Sequence, residues 1–216
     1  MEKHIFHPGG LALTFQGAEY AQVNSTSLIL DIGCGTGTSL KYLHDTYGCS
    51  IYGIDISETA VAKARELMPY ATILPSDASS LPFERGFFDV VFMECTLSLF
   101  HNPLQALKEA YRVLKPNGSL VILTLSQSSG TQLVQEGTVR LNHLTNTLSM
   151  LNFTDIFYED HTPDLIQFVV DMIFQYGSLA AYLNEASQTI DGCVLDCNIS
   201  PKNTGYHLVA AKKKEE

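Results

Sequence analysis

The sequence predicts an α/β protein with a mostly parallel sheet covered by helices on both faces. Short apolar runs alternate with stretches of helical periodicity through the first 125 residues, and this alternation is typical of parallel strands joined by crossover helices. The length of 216 residues suggests one domain with some elaboration. A composition of 45% hydrophobic and 17% charged residues is that of a folded globular protein.

Five apolar runs are predicted as strands of this sheet. They cover residues 28–32, 51–55, 71–74, 88–93 and 120–125, with helices predicted over 38–47, 58–68 and 103–114. The last of these helices has a clear start, because Asn102 suits the N-cap and Pro103 the first helical position. Ligands of such sheets bind outside the carboxyl ends of the strands, so the first half of the chain is the expected ligand site.

The pattern changes after Leu125. The elements predicted from there on are a polar loop over 126–131, a helix over 139–151, a strand over 153–159, a helix over 163–187 with a break at Gly177–Ser178, and a last strand over 206–211. We therefore expect one domain over 1–216. Its parts are an amino-terminal arm over 1–24, a core over 25–125 and a helical insertion over 160–204 before the final strand.

Charge and composition argue against several classes of partner. With 13 basic and 23 acidic residues the net charge is −10, which disfavours binding to nucleic acid or anionic lipid. The most apolar long stretch, 165–183, contains three polar interruptions and is too polar for a membrane span. The amino terminus lacks a signal-peptide core. Five cysteines without a C-x-x-C pair indicate reduced thiols and a cytoplasmic location.

The most informative segment is Asp31-Ile32-Gly33-Cys34-Gly35-Thr36-Gly37. A glycine-rich turn between a strand and a helix lets the backbone approach a nucleotide-like cofactor closely. The dinucleotide fingerprint G-x-G-x-x-G would place its third glycine at position 38, where this chain has Thr38. The spacing therefore counts against a nicotinamide cofactor, although an NAD-dependent oxidoreductase stays a minor alternative.

This segment resembles the first motif of the class I S-adenosylmethionine-dependent methyltransferases, especially those of the ubiquinone/menaquinone-biosynthesis type. Four further segments follow in the family's order: Asp55 after the second strand, Asp77-Ala78 after the third, Leu81-Pro82-Phe83 with 88–91, and 112–118. In the last of these, Asn117 replaces a family glycine. The resemblance covers about residues 25–125. It implies a Rossmann-like fold with a mostly parallel seven-stranded sheet whose last strand is antiparallel.

The resemblance also implies a cofactor and its binding residues. The cofactor would be S-adenosylmethionine and the product S-adenosylhomocysteine. Asp31 would hold the aminocarboxylate end, Asp55 the ribose, and Asp77-Ala78 the adenine edge. The complete expected set is Asp31, Gly33, Cys34, Gly35, Gly37, Asp55, Ile56, Asp77, Ala78 and Glu94. Cys34 could equally be a small packing residue.

Residues 94–101, after the fourth strand, are expected to line the methyl-acceptor site. DNA amino-methyltransferases have a D-P-P-Y-like motif here, whereas this chain has Glu-Cys-Thr-Leu. We therefore expect a small-molecule acceptor. Methyl transfer to it would be an in-line displacement. If the acceptor must lose a proton, the candidate bases are His101, Glu94 and His7. His101 could instead pack at a helix start, and Glu94 could bind backbone donors near the cofactor.

Two segments are candidate lids. Residues 7–14 could fold over the cofactor or form a simple amino-terminal turn. In the insertion, Phe168, Met172, Phe174 and Tyr176 could roof an apolar pocket or form a homodimer interface.

The cysteines raise a less favoured possibility. Convergence of Cys95, Cys193 and Cys197 would create a soft metal or metalloid site, but we expect unrelated thiols and no metal. A non-catalytic module that binds S-adenosylmethionine is the main alternative to an enzyme, because an intact cofactor motif is compatible with both.

Overall fold

The computed structural model describes residues 7–127, 132–135, 137–182, 184 and 204–215. The helices within these ranges are α1 (Gly10–Tyr20), α2 (Thr38–Tyr47), α3 (Glu58–Leu67), α4 (Pro103–Val113), α5 (Leu141–Met150) and α6 (Thr162–Tyr176). The strands are β1 (Leu28–Ile32), β2 (Ser50–Asp55), β3 (Thr72–Pro75), β4 (Phe88–Glu94), β5 (Leu114–Gln127), β6 (Val134–Gln135), β7 (Thr138–Arg140), β8 (Phe153–Asp160) and β9 (Gly205–Lys213). A short 3-10 turn, Leu97–Leu99, follows β4.

The strands form a mostly parallel sheet, as predicted. The parallel part runs in the order β3-β2-β1-β4-β5. Strand β9 then pairs antiparallel with β5, and β8 pairs antiparallel with β9. These seven strands match the expected sheet with an antiparallel last strand. Strand order reverses between β1 and β4, so their carboxyl ends open a crevice where a ligand can bind.

Helices cover both faces of the sheet, also as predicted. On one face α4 and α5 pack through Leu107 and Leu144. On the other face α1, α2 and α3 pack through Ala18, Leu40 and Val61. Alternate residues of each strand face opposite sides. The position of a residue in its strand therefore decides which helices its side chain meets.

Local signals at the start of α4 act as the sequence predicts. The Asn102 side chain accepts a hydrogen bond from the Gln105 amide at 3.1 Å, and Pro103 follows as the first helical residue. Near the other end of α4, Arg112 donates to the carbonyls of Phe83 and Leu81 at 2.7 and 3.0 Å. The two motif segments 81–83 and 112–118 are thus tied together, which holds the loop before β4 against the core.

Two predictions for the second half need correction. The helix expected over 139–151 begins only at Leu141, because Thr138–Arg140 pair in parallel with the end of β5 as strand β7. Together with β6 this adds two short strands to the seven expected. The loop expected over 126–131 begins later, since Ser126 and Gln127 extend β5. Residues 128–131 lie outside the described part.

The predicted break in the long helix is confirmed. Helix α6 ends at Gly177, whose φ of 81° is left-handed, and residues 179–182 are helical again. The rest of the predicted insertion, residue 183 and residues 185–203, lies outside the described part. None of the described helices combines the length and hydropathy that crossing a membrane requires.

Candidate cofactor and acceptor site

The glycine turn between β1 and α2 is clamped to the end of β2. The amides of Gly33 and Cys34 both donate to the Ile54 carbonyl, at 2.8 and 3.0 Å. Gly33 has a φ of 84°, and a Cβ atom there would lie 2.6 Å from Cγ2 of Thr96. A side chain is therefore excluded at position 33 both by conformation and by the close approach of the loop after β4.

Space lies open beside Gly35. This residue has a φ of 53°, and a Cβ atom built on it would meet no atom within 4 Å. The turn thus presents bare backbone to an open cradle at the carboxyl edge of the sheet. Such a cradle suits the close approach of a nucleotide-like ligand.

Asp55 lies at the carboxyl end of β2 and links the two loops that border this cradle. Its Oδ2 accepts from the Gly35 amide at 2.8 Å, and its Oδ1 accepts from the Ser57 amide at 2.9 Å. A carboxylate can accept about four hydrogen bonds, so both oxygens keep the capacity to bind a diol. The neighbouring Ile56 is 76% exposed and offers an apolar surface beside the carboxylate.

Asp77 and Ala78 occupy the loop after β3, where the sequence places them. Oδ1 of Asp77 accepts from the amide and the hydroxyl of Ser79, at 2.7 and 2.6 Å. These hydrogen bonds lower the pKa of Asp77. Ala78 packs into the core, so its contribution to a ligand site would come from its backbone.

Two buried carboxylates, Asp31 and Glu94, lie at the ends of the neighbouring strands β1 and β4. Oε2 of Glu94 accepts from the hydroxyls of Ser39 and Thr14, at 2.5 and 3.2 Å, and lies 3.5 Å from Nε2 of His7. Oε1 of Glu94 and Oδ1 of Asp31 are buried and have no hydrogen-bond partner among the described residues. The pair therefore presents two unsatisfied acceptor oxygens inside the protein.

The pKa values of the two carboxylates are shifted in opposite directions. Burial alone would raise the pKa of Glu94, but the hydrogen bonds and charge of His7, with those of Ser39 and Thr14, outweigh it and lower this pKa. No hydrogen-bond donor of the described residues reaches Oδ1 of Asp31. Burial, and the nearby charges of Glu94 and Asp55, raise its pKa well above the usual value. A cation placed between Asp31 and Glu94 would satisfy both groups.

The amino-terminal segment reaches this pair. The ring of His7 is buried beside Glu94, with Nδ1 3.0 Å from the Pro8 carbonyl oxygen. Burial alone would lower the pKa of His7, but the hydrogen bond and charge of Glu94 outweigh it and raise this pKa. Helix α1, Gly10–Tyr20, forms 11 residues of the expected arm. His7 and Thr14 of this arm therefore both lie against Glu94.

The three candidate bases do not form one cluster. His7 and Glu94 are in contact, whereas His101 is exposed and its charge acts on Asp77 at the other end of the site. Cys34 packs in the core, and burial raises the pKa of its thiol well above the usual range. Its side chain therefore packs in the core, and a contribution to a ligand site would come from its backbone.

Cys95 lies directly after β4 in a left-handed conformation, with a φ of 58°. Its Sγ is 3.2 Å from the hydroxyl of Tyr206, which is fully buried, and burial raises the pKa of Tyr206. Cys193 and Cys197 lie outside the described residues. Within the described ranges no three His, Cys, Asp or Glu side chains are grouped to hold a metal ion.

Sequence reasoning missed the hydroxyls of Thr14 and Ser39. They come from α1 and α2 and converge on Glu94 across 80 and 55 positions of sequence. A weak signal existed for Ser39, because it lies in the first turn of the helix that follows the glycine motif. Thr14 is recognisable only when α1 is known to pack across the end of β4.

Comparisons with known proteins agree with this architecture. Residues 30–122 match the family described as "Methyltransferase domain". Demethylmenaquinone methyltransferase of Lactococcus lactis is 40% identical over 105 residues, which are 45% of this chain and 42% of that protein. The 2-methyl-6-phytyl-1,4-hydroquinone methyltransferase of Synechocystis is 39% identical over 109 residues, 48% of this chain and 34% of that protein. The chain spans about half the length, or less, of such curated relatives.

A solved structure shows the same fold over nearly the whole chain. The [4+2]-cyclase SpnF superposes with a TM-score of 0.77 at 24% identity, covering 96% of this chain and 82% of that one. The matched segment 30–122, the five motifs in their order and the sheet topology point to one family. Over residues 30–122 the chain is thus similar to methyltransferase domains, with its motifs in the order that the class I S-adenosylmethionine-dependent methyltransferases have.

Proposed function

We propose that this protein binds S-adenosylmethionine at the carboxyl edge of β1, β2 and β4 and transfers its methyl group to a small molecule. The observation that carries the proposal is the pair of buried, unsatisfied carboxylate oxygens of Asp31 and Glu94 next to the open cradle at Gly35. A cationic amino-acid end would satisfy the carboxylates, and the adenosine would fill the cradle. When bound, the cofactor supplies an electrophilic methyl group on a sulfonium.

Each remaining part of such a cofactor has a matching group in the site. The free acceptor capacity of Asp55 suits the two ribose hydroxyls. The exposed side chain of Ile56 offers an apolar surface for the adenine ring, and the loop at Asp77-Ala78 borders its edge. Glu94 and Asp31 would share the ammonium group. The donors on Oε2 of Glu94 keep this carboxylate ionised and oriented.

For the transfer itself the chain positions the acceptor, excludes water from the site and supplies a base for a proton of the acceptor. In-line displacement depends on holding the acceptor in position and excluding water, and His7 with the first turn of α1 closes the site beside Glu94. If the acceptor carries a proton, neutral His7 can take it on Nε2, with Glu94 stabilising the imidazolium that forms. His101 stays a candidate only for an acceptor bound near Asp77.

The acceptor class can be tested by following a labelled methyl group. Purified protein with S-adenosylmethionine carrying a radioactive methyl group would be incubated with small-molecule, protein and nucleic-acid fractions of a cell extract. We expect label in the small-molecule fraction, and no transfer by an Asp55→Ala variant. Label confined to protein or nucleic acid would contradict the small-molecule proposal.

A reaction other than methyl transfer is the second candidate, since the structural neighbour SpnF is a [4+2]-cyclase. Fold alone does not decide between chemistries. Binding of S-adenosylhomocysteine without transfer to any fraction would favour this reading or a regulatory module. Transfer of the label to any acceptor would rule out a purely non-catalytic role.

Two further expectations remain predictions. We propose a homodimer, which light scattering on the purified protein tests directly. We also propose a cytoplasmic location, and fractionation of cells that express the protein would test it.

A further inference from the structure

Arg140, the last residue of β7, is a buried cation without a counter-charge among the residues that the structure describes. It is 3% exposed. Its Nη1 donates to Oε1 of Gln127 at 2.6 Å and to Oγ1 of Thr138 at 3.2 Å, and both of these acceptors are neutral. Within the described part of the chain its Nε is buried without a hydrogen-bond partner, and no carboxylate there pairs with the guanidinium. A buried charge in this condition is costly unless an anion completes the site.

Arg112 shows what a structural arginine looks like in the same protein. Its guanidinium pairs with Glu109 at 2.8 Å and donates to two main-chain carbonyls. Arg140 makes no comparable set of contacts, although the chain carries 23 acidic side chains against 13 basic ones. The missing counter-charge is therefore a local feature and does not reflect a shortage of carboxylates.

Arg140 lies at the acceptor end of the sheet. Strand β7 pairs with the end of β5, with Arg140 opposite Gln127, and β7 also lies against the 3-10 turn that follows β4. Glu94 pairs with Leu123 of β5. Gln127 is four residues further along this strand and on the same face, which corresponds to roughly 13 Å at about 3.3 Å per residue. Arg140 is thus separated from the cofactor's expected amino-acid end in the direction of the acceptor.

A second unsatisfied polar group lies nearby. Oγ1 of Thr204 is buried without a hydrogen-bond partner among the described residues. Ser126 pairs with Gly205, so the register extended by one residue places Thr204 beside Gln127. Two residues earlier along β5, on the same face of the sheet, Leu125 pairs with Tyr206, and both side chains are buried. The surroundings of Arg140 therefore combine polar groups at the end of β5 with a largely apolar floor.

We propose that Arg140 binds an oxyanion of the methyl acceptor, a carboxylate or a phosphate, and that the acceptors of this protein are apolar molecules with such a group. Gln127 and Thr138 hold Nη1, which leaves the edge formed by Nε and Nη2 for a two-pronged contact with the anion. Because the guanidinium is shielded from solvent, the oxyanion is buried with it when the acceptor binds. This inference rests on the proposed function and names the chemical class of its substrate.

The test measures thermal unfolding of the protein saturated with S-adenosylhomocysteine. Benzoate and phenyl phosphate serve as anionic probes, and benzamide as the uncharged probe. We expect each effective anion to raise the unfolding midpoint of the wild type in a dose-dependent way, and benzamide to leave it unchanged. A response to benzoate alone would assign a carboxylate, and a response to phenyl phosphate alone would assign a phosphate.

The variants separate binding from a structural role. Arg140→Met should lose the anion-induced rise and, without anion, unfold no lower than the wild type, because an unpaired buried charge has been removed. Arg140→Lys should keep part of the rise. Arg85→Met changes the same charge at an exposed position and should respond like the wild type.

Three results would overturn or redirect the inference. An Arg140→Met variant that responds to the anions like the wild type would overturn it. So would a wild type that binds S-adenosylhomocysteine in calorimetry but shows no anion response. Failure of the wild type to bind S-adenosylhomocysteine would instead count against the proposed function.

Discussion

At the scale of single residues, three carboxylates at neighbouring strand ends have three different environments. Asp55 accepts from two backbone amides, Glu94 is ionised by the donors around Oε2, and Asp31 is buried with an unsatisfied oxygen. The same functional group can therefore bind a diol, fix a cation or resist ionisation, according to its donors. The motif positions were predictable from the sequence, but these differences were not, because the donors come from other elements.

Binding of the cofactor beside Asp31 should be accompanied by the release of protons. Its raised pKa means that it takes up a proton more readily than an ordinary aspartate. A bound ammonium group would lower this pKa again, and that of His7 beside it, so binding should release protons. Calorimetry of S-adenosylhomocysteine in two buffers of different ionisation enthalpy measures this release. It should shrink in Asp31→Asn, and proton uptake would contradict the account.

The cradle at Gly35 can be tested with a matched pair of alanines. Gly35 and Gly86 both have positive φ and open space where a Cβ would go, but only Gly35 borders the site. Each substitution should lower the free energy of unfolding by about 1–2 kcal/mol, from the left-handed backbone. Only Gly35→Ala should also lose affinity for S-adenosylhomocysteine. Equal affinities in the two variants would place the cofactor elsewhere.

At the scale of elements, the amino-terminal segment is tied to the end of β4. Thr14 of α1 and His7 before it both contact Glu94. The start of α4 could be predicted from the sequence because its cap involves residues three apart. The contact between α1 and β4 could not, because it joins residues 80 positions apart. The same reason explains why the sequence pattern predicts the start of a helix at position 139, where the chain forms β7 by pairing with β5.

The attachment of this segment should depend on pH. The pKa of His7 is raised above its usual 6.5, so its contribution is complete below that value and is lost as the pH rises through the raised pKa. The pKa of Glu94 is lowered from 4.5, so its contribution holds above 4.5 and is lost as the pH falls through the lowered pKa. Protection of the α1 amides in hydrogen exchange, corrected for intrinsic rates, should therefore decline towards alkaline pH.

A His7→Gln variant is the control for this pH dependence. It keeps a polar side chain of similar reach but cannot titrate, so the alkaline decline in protection should disappear. If the variant shows the same decline as the wild type, the ion pair with Glu94 does not hold the segment.

At the scale of the whole molecule, the sheet gathers residues from distant parts of the chain at one edge. Its order places the ends of β1, β2 and β4 side by side, and β5 with β7 extends the edge towards Arg140. The family motifs made the cofactor half of this edge predictable. The half that we propose for the acceptor was not predictable, because no motif marks Arg140 or Gln127 and their contact depends on strand pairing.

In the second half of the molecule, the side chains expected to roof an apolar pocket or to form a dimer interface differ in their packing. Phe168 and Met172 of α6 pack with Tyr182 in a small core of their own. Phe174 is 87% exposed, and Tyr176 is half-buried against that core. Among these side chains, Phe174 is therefore the one whose packing is not accounted for by this small core.

The central claim, an S-adenosylmethionine site built on Asp55, is tested most directly by calorimetry with S-adenosylhomocysteine and with NAD. The wild type should bind the first and not the second. Asp55→Ala should weaken binding roughly 100-fold, since hydrogen bonds to a charged group contribute about 1.5–3 kcal/mol each. Asp45→Ala, the same change at an exposed position of α2, should bind like the wild type. Binding of NAD alone, or equal binding by Asp55→Ala and the wild type, would contradict the account.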